Sequence, residues 1–380
     1  MRYSRIFNDA ARRRDIYETV TNRVIADLEK GVRPWVKPWN SEHLEGRIMR
    51  PLRHNGERYS GINVLMLWSA AEEQGFASPT WMTYKQALTL GGQVRKGEHG
   101  SPVVYASTFA AEEETDEGDT VVKEVPFLKT YTVFNVEQID GLPERYRESA
   151  PEPLNPVERI AEAEHFFAAT GAEIRHVGTQ ALYSVTHDHI RMPPIDTFRD
   201  AESYYATLAH ETTHWTRHPS RLDREFGRKR FGDEGYAREE LVAELGAAYL
   251  CADLGLEPVV REDHAAYIES WLTVLKQDKR AIFQAAAYAQ RAADYLHEMQ
   301  PEQAPAPAHE NAPERDPQEP AADEPTLRPS WHDVVEESVN AAKNDEDHEL
   351  DEAHEDVSDE HDEELDGQPQ RPRNPQMSLF

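Results

Sequence analysis

The stretch ATLAHETTHWTR sets His210, Glu211 and His214 in the order H-E-x-x-H. On a helix, positions four apart lie one turn apart on the same face, so both imidazoles can aim a ring nitrogen at one Zn2+ ion. Glu211 then faces the open side of the metal, where its carboxylate can take a proton from bound water. A catalytic site of this kind needs a third protein donor and leaves its fourth position to water. His218 continues the spacing from His214, but it lies about 12 Å along a helix from His210, too far for one ion to bridge. The next apolar segment, YAREELVAELGAAYL, offers Glu240 and Glu244 one turn apart. Glu240 is assigned as the ligand and Glu244 as the carboxylate that holds a ligand histidine in its tautomer, with the reverse assignment as the alternative. A competing reading makes H-E-x-x-H a solvated face and pairs Glu239, Glu240 and Glu244 with arginines of a neighbour. The apolar run VAELGAAYLCADLGL argues instead for a buried helix, whose carboxylates need partners such as a metal. No pattern selects a group to stabilise an oxyanion, and Tyr236 is the one candidate.

These side chains need elements to hold them. IYETVTNRVIADLEKG, from about residue 15 to 30, has helical spacing and stops at Gly31. RPWVKPW cannot continue a helix through its prolines and reads as extended. GINVLMLWSAAEEQG is a helix, WMTYKQALTLGG a short one, and PVVYAST and FLKTYTVFNV are strands separated by a charged hairpin loop. The proline-rich SAPEPLNPVE marks a domain boundary. Beyond it, PVERIAEAEHFFAAT is helical, AEIRHVG, ALYSVTH and HIRMPP are short strands, and the motif helix follows. Two further helices are expected, from Glu239 to Leu254 and from His264 to His297. The fold class is α+β, with domains at residues 1–150 and 151–299 and a disordered acidic tail at 300–380.

Charge is distributed unevenly along the 380 residues. Residues 301–380 carry 24 Asp and Glu against 5 Lys and Arg, so most of the net charge of −30 belongs to the tail. Residues 1–110 carry 16 basic against 11 acidic groups, which leaves the amino-terminal region free to meet phosphates. The single cysteine, Cys251, suits a reducing compartment, and no apolar run is long enough to span a bilayer. The expected location is the cytoplasm, with no membrane partner.

Binding single strands without sequence preference takes aromatic faces for the bases and cations along the phosphate path. Trp35, Lys37, Trp39, Arg58, Tyr59, Trp81, Lys85, Arg95 and Lys96 interleave the two types and are the candidate contacts; Tyr84 lies among them, and Trp68 inside VLMLW reads as core. At the far end, QMSLF offers Gln376, Leu379 and Phe380, similar to the short peptide by which bacterial proteins dock on the replicative sliding clamp.

HETTHWTRHPSRLDRE followed by FGDEGYAREELVAELGAAYL resembles the zincin-like metallopeptidase domain of ArdC-like antirestriction proteins. VRPWVKPWN, RYSGINVLMLW, WMTYKQA, VRKGEHGSPVVY and YTVFNVEQ resemble that family's single-stranded DNA-binding domain, which is also similar to the amino-terminal region of certain plasmid primases. The resemblance implies one Zn2+ per chain, held by the two histidines and a glutamate of the following helix, and a role on mobile genetic elements in protecting transferred DNA from restriction. Two mechanisms then compete. In one, the chain cleaves a protein of unknown identity held near DNA; in the other it shields strands without catalysis and the metal serves folding.

Overall fold

Tyr17, Val20, Val24 and Leu28 form one buried stripe along α1 (Tyr3–Glu29), as the apolar spacing predicts. The computed structural model describes residues 3–33, 35, 49–114, 120–146, 156–226, 234–258 and 264–301, all within one compact unit. After α1 come β1 (Leu52–Arg53), α2 (Ile62–Gln74), β2 (Thr80–Thr83), α3 (Tyr84–Thr89), β3 (Gln93–Val94), β4 (Ser101–Glu114), β5 (Thr120–Asn135) and β6 (Ile139–Asp140). A hairpin forms between β4 and β5, in register from Ser101 opposite Val133 to Glu114 opposite Thr120, so its strands run on into the charged segment expected as loop. Strand order in the main sheet is β1-β2-β5-β4, with β1 parallel to β2 and the rest antiparallel, while β3 pairs with β6. Local chemistry explains the ends. Thr83 and Gln86 exchange hydrogen bonds as a capping box that starts α3, and α2 stops at Gly75 in the left-handed region, φ 73°.

The second half holds α4 (Pro156–Ala169), then β7 (Ile174–His176), β8 (Leu182–Ser184) and β9 (His189–Met192) in a sheet of order β7-β9-β8. Four helices follow: α5 (Ala201–Trp215), α6 (Glu234–Leu254), α7 (His264–Gln277) and α8 (Ala281–Glu298). The single helix expected from residue 264 to 297 is two helices. Asp278 Oδ1 accepts from the Arg280 backbone N–H at 2.9 Å, and the Lys279 carbonyl is turned outward to accept from Thr21 Oγ1 of α1 at 2.6 Å. A contact made across the chain thus breaks a helix that the local pattern would continue.

One hydrophobic core runs through both halves. The expected boundary near residue 150 lies outside the described residues, yet the packing on its two sides is continuous. Tyr17 meets Phe283 with ring centroids 4.6 Å apart, Trp35 meets Trp271 at 5.9 Å and Trp68 meets Tyr249 at 6.0 Å. Polar pairs lock the same seam. Tyr249 Oη donates to the Gly61 carbonyl at 2.9 Å, and buried Asp253 accepts from Arg50 at 3.1 Å and faces Arg58 at 2.8 Å.

The Trp35 indole is fully buried and meets Trp271 of the other half edge to face. Removing it leaves a cavity no neighbour can fill, so Trp35→Ala is expected to lower stability by about 3–5 kcal/mol in urea titrations. A loss under about 1 kcal/mol would mean that this indole does not join the halves.

Candidate metal centre

α5 begins at Asp200, whose side chain accepts from the Ser203 N–H at 2.7 Å, and runs through a fully buried stretch to Trp215. It crosses α6 at Gly246. A Cβ there would come within 2.5 Å of Thr213 Cγ2 and 2.7 Å of its Oγ1, so the absence of a side chain lets the two backbones approach. Thr213 cannot turn away easily, because its hydroxyl donates to the Ala209 carbonyl at 2.8 Å. The crossing turns the buried His210 and His214 of α5 toward Glu240 and Glu244 of α6.

His210 Nε2 and His214 Nε2 lie 3.1 Å apart, Glu240 Oε2 lies 3.5 Å from His210 Nε2, and Glu240 Oε1 lies 3.4 Å from His214 Nε2. Ligands about 2.0–2.1 Å from a tetrahedral ion are spaced about 3.3–3.4 Å from one another, and one ligand atom from each of these residues lies within 4.8 Å of the other two, near enough for a shared ion after a small adjustment of the Glu240 carboxylate. Among the described residues they are the one group of His, Cys, Asp and Glu so gathered. Three protein donors leave a fourth position open.

Each histidine has a carboxylate at its other nitrogen. Glu244 Oε1 lies 3.2 Å from His210 Nδ1, and Glu239 Oε1 lies 3.0 Å from His214 Nδ1. The His214–Glu239 pair is a hydrogen bond, which fixes that ring's tautomer and aims its Nε2 inward, whereas the approach of Glu244 to His210 Nδ1 lacks hydrogen-bond geometry. Glu239 is in turn held by buried Arg224, whose Nε and Nη2 donate to its two oxygens at 2.8 Å each. Arg224 also donates to the Thr213 carbonyl at 3.0 Å and to Thr216 Oγ1 at 3.1 Å, so one guanidinium closes the end of α5 and ties it to α6. Glu239 has a pairing role in the sequence only if H-E-x-x-H is a solvated face, and no pattern singles out Arg224. Their signal was faint: an acid adjacent to the ligand, and a basic residue after HPSRLD.

The electrostatics of the metal-free pocket call for a cation. Burial would lower His214, but the Glu240 charge and the hydrogen bonds that Glu239 and Glu240 accept from it outweigh burial and push its pKa up to about 10. Burial would raise Glu239, and Arg224 overrides this to bring it down to about 2. Glu240 is likewise driven far below the carboxylate range, since His214 and His210 outweigh its burial. Burial, then the charge of Glu240, push the Tyr236 phenol well up, so it keeps its proton.

The other sequence candidates fall differently. Glu211 is buried on α5 beside the donors. His218 lies outside the donor group, with Nδ1 2.8 Å from Ser220 Oγ. Trp35 and Trp81 have 0% exposure, packed against Trp271 and Phe76, so neither presents a face to a base; that expectation is corrected. Tyr59 is also buried, with the Arg53 guanidinium 5.4 Å from its ring. Arg58 is half exposed but held by Asp253. Lys85, Arg95 and Lys96 are on the surface, Arg95 being paired with Glu98 at 2.7 Å. Lys37, Trp39, Gln376, Leu379, Phe380 and nearly all of the acidic tail lie outside the described residues.

Residues 14–134 match the family described as the N-terminal domain of anti-restriction factor ArdC, and residues 161–288 match a zincin-like metallopeptidase family. The crystal structure of antirestriction protein ArdC from plasmid R388, in its metal-free form, is 52% identical and superposes with a TM-score of 0.64, covering 75% of this chain and 98% of that one. The chain belongs to the ArdC family of antirestriction proteins. An Mn(II)-bound structure of the R388 protein aligns at 50% identity and a TM-score of 0.62, over 76% of this chain and 99% of that one. The y4eC protein of Sinorhizobium fredii is 43% identical over 75% of this chain and 92% of its own length. An Escherichia coli DNA primase, TraC, is 42% identical over 75% of this chain but only 27% of the primase, so the ArdC-like region spans about a quarter of that relative. Among the described residues, no helix is long and apolar enough to cross a membrane.

The His214 shift fixes a pH response. Its folded-state pKa near 10 lies above the ordinary 6.5, so the stabilisation it gives the metal-free protein is complete below about pH 6.5 and is lost as pH rises through about 10. Melting temperatures in EDTA should fall over that interval more steeply in the wild type than in His214→Gln. Parallel curves for the two proteins would contradict the assignment.

Proposed function

We propose that the chain binds single-stranded DNA through its amino-terminal half and cleaves protein held near that DNA at the α5–α6 site. The observation that carries the enzymatic part is the buried set of two imidazoles and one carboxylate, spaced for a single ion with one position open. His210, His214 and Glu240 would hold that ion, one Zn2+ per chain, with the Mn2+ of the R388 relative as a substitute. A divalent ion there supplies Lewis acidity and a bound water of lowered pKa. Glu211 takes the proton from the attacking water and returns it to the leaving amine. Glu239 holds the His214 imidazole in register throughout, and Glu244 stands beside that of His210. β7 and β8 are the two edges of the sheet beside α5, and an extended peptide can add a strand to such an edge.

The strand-binding part rests on a smaller surface than the sequence suggested. Tyr84 is 45% exposed at the start of α3, next to Lys85. Gln93 Nε2 of β3 donates to its hydroxyl at 3.0 Å, and Arg95 and Lys96 follow in the next turn. Tyr131, 44% exposed on β5, adds a second ring beside Tyr105. Gln376, Leu379 and Phe380 would deliver this pair of activities to a sliding clamp.

A second reading, strand shielding with a metal that serves folding, draws support from how deeply the donors are buried. Glu211→Gln separates the two. Cleavage of casein by the metal-loaded protein in the presence of single-stranded DNA should fall by about 100-fold or more, with metal content and DNA affinity unchanged. If restriction protection persists in cells after cleavage is lost, shielding is the function. For the strand-binding surface, Tyr84→Ala should weaken oligonucleotide binding by about 1–3 kcal/mol in fluorescence anisotropy without changing the melting temperature. Unchanged affinity would move the binding surface elsewhere.

A further inference from the structure

Tyr236, Glu240 and Glu244 recur one turn apart and so form a single stripe on the face of α6 that meets α5. Glu240 stands in the middle, among the imidazoles. Glu244 is engaged on one side by His210 Nδ1. Tyr236, on the other side, hydrogen-bonds to the Glu240 carboxylate, and its Oη lies 3.0 Å from the hydroxyl of Tyr267 on α7. Two phenols that share one hydrogen bond between them have a second proton to donate. With Glu240 as the acceptor, the chain runs from Tyr267 to Tyr236 to Glu240, each donation strengthening the next.

The pair is held and partly open. Tyr267 stacks on Trp271 with centroids 6.1 Å apart and planes 20° from parallel, and Trp271 meets Trp35 at 5.9 Å. Tyr236 and Tyr267 are half-buried, whereas Glu240 and both histidines are buried. The tyrosines therefore lie nearer to solvent than the donors do. A hydroxyl within hydrogen-bond reach of a ligand carboxylate can also reach a group bound beside that carboxylate.

The geometry points to Tyr236 as the hydrogen-bond donor to the oxyanion of the tetrahedral adduct, with Tyr267 as the positioning residue that aims its hydroxyl. The assignment rests on the peptidase-type reading of the site. As the carbonyl carbon is attacked, its oxygen gains negative charge and Tyr236 transfers its donated hydrogen bond from Glu240 to that oxygen, no covalent bond of the phenol being made or broken. A preorganised donor of this kind is worth most when it meets charge that develops in the transition state.

The test needs no turnover, so it is independent of whether cleavage is observed. Full-length protein loaded with Mn2+ is titrated with methylphosphonate, a tetrahedral oxyanion, while water proton relaxation reports displacement of metal-bound water. Tyr236→Phe should weaken methylphosphonate by about tenfold or more, with Mn2+ affinity within about twofold of wild type. Tyr267→Phe, which retains the Tyr236 hydroxyl and removes its neighbour, should give a smaller loss in the same direction and checks the result should Tyr236→Phe fold poorly. Unaltered methylphosphonate binding in both variants overturns the inference. So does a loss of Mn2+ affinity with normal methylphosphonate binding at the sites still loaded, because Tyr236 would then only hold Glu240. If loaded wild type does not bind methylphosphonate at all, the donor role fails even where casein is cleaved.

Discussion

The distance between α5 and α6 is set by the missing side chain of Gly246 against Thr213. A glycine in the interior of a 21-residue helix costs about 1 kcal/mol relative to alanine, and here that cost secures the approach of two backbones. The three donors sit close to the crossing, His210 and His214 on either side of Thr213 and Glu240 before Gly246. Displacement of one helix by the width of a methyl group would carry Glu240 away from both imidazoles. Arg224 reinforces the contact from its far end by bridging the last carbonyls of α5 and the Glu239 carboxylate.

Charge balance follows from that geometry. Three carboxylates of α6 face two imidazoles in a largely buried space, and the countercharges beside them include the guanidinium groups of Arg224, of Arg217, and of Arg33, which burial lowers and the charge of Glu244 partly restores. A proton on His214 fills the deficit when nothing else does. A divalent ion offers more charge to the same oxygens, and binding it displaces that proton. The amino-terminal segment takes part in this balance through Arg33, although the donors belong to the other half.

The motif helix, the Glu240 turn and the base of the hairpin were legible in the sequence because each is written in a local period or spacing, whereas the hairpin's extension through charged residues up to Glu114 was not. So was the core role of Trp68, set in a run of apolar residues. Trp35 and Trp81 were misread because interleaved aromatic and basic residues look the same whether the rings stack on bases or on one another. What decides it for Trp35 is Trp271, a partner far along the chain that no local pattern announces. The break between α7 and α8 and the Arg224–Glu239 pair escaped for the same reason. The Tyr236–Tyr267 contact shows the boundary: the stripe on α6 is readable by period, while its neighbour on α7 is not.

The shared interior has an evolutionary corollary. Recombination that separated the halves near residue 150 would bare Trp35, Trp68, Tyr249 and Trp271 together, so intermediates carrying one half alone would be prone to aggregate. A match that covers 75% of this chain and 27% of the TraC primase spans both halves together, as a body with one shared interior requires.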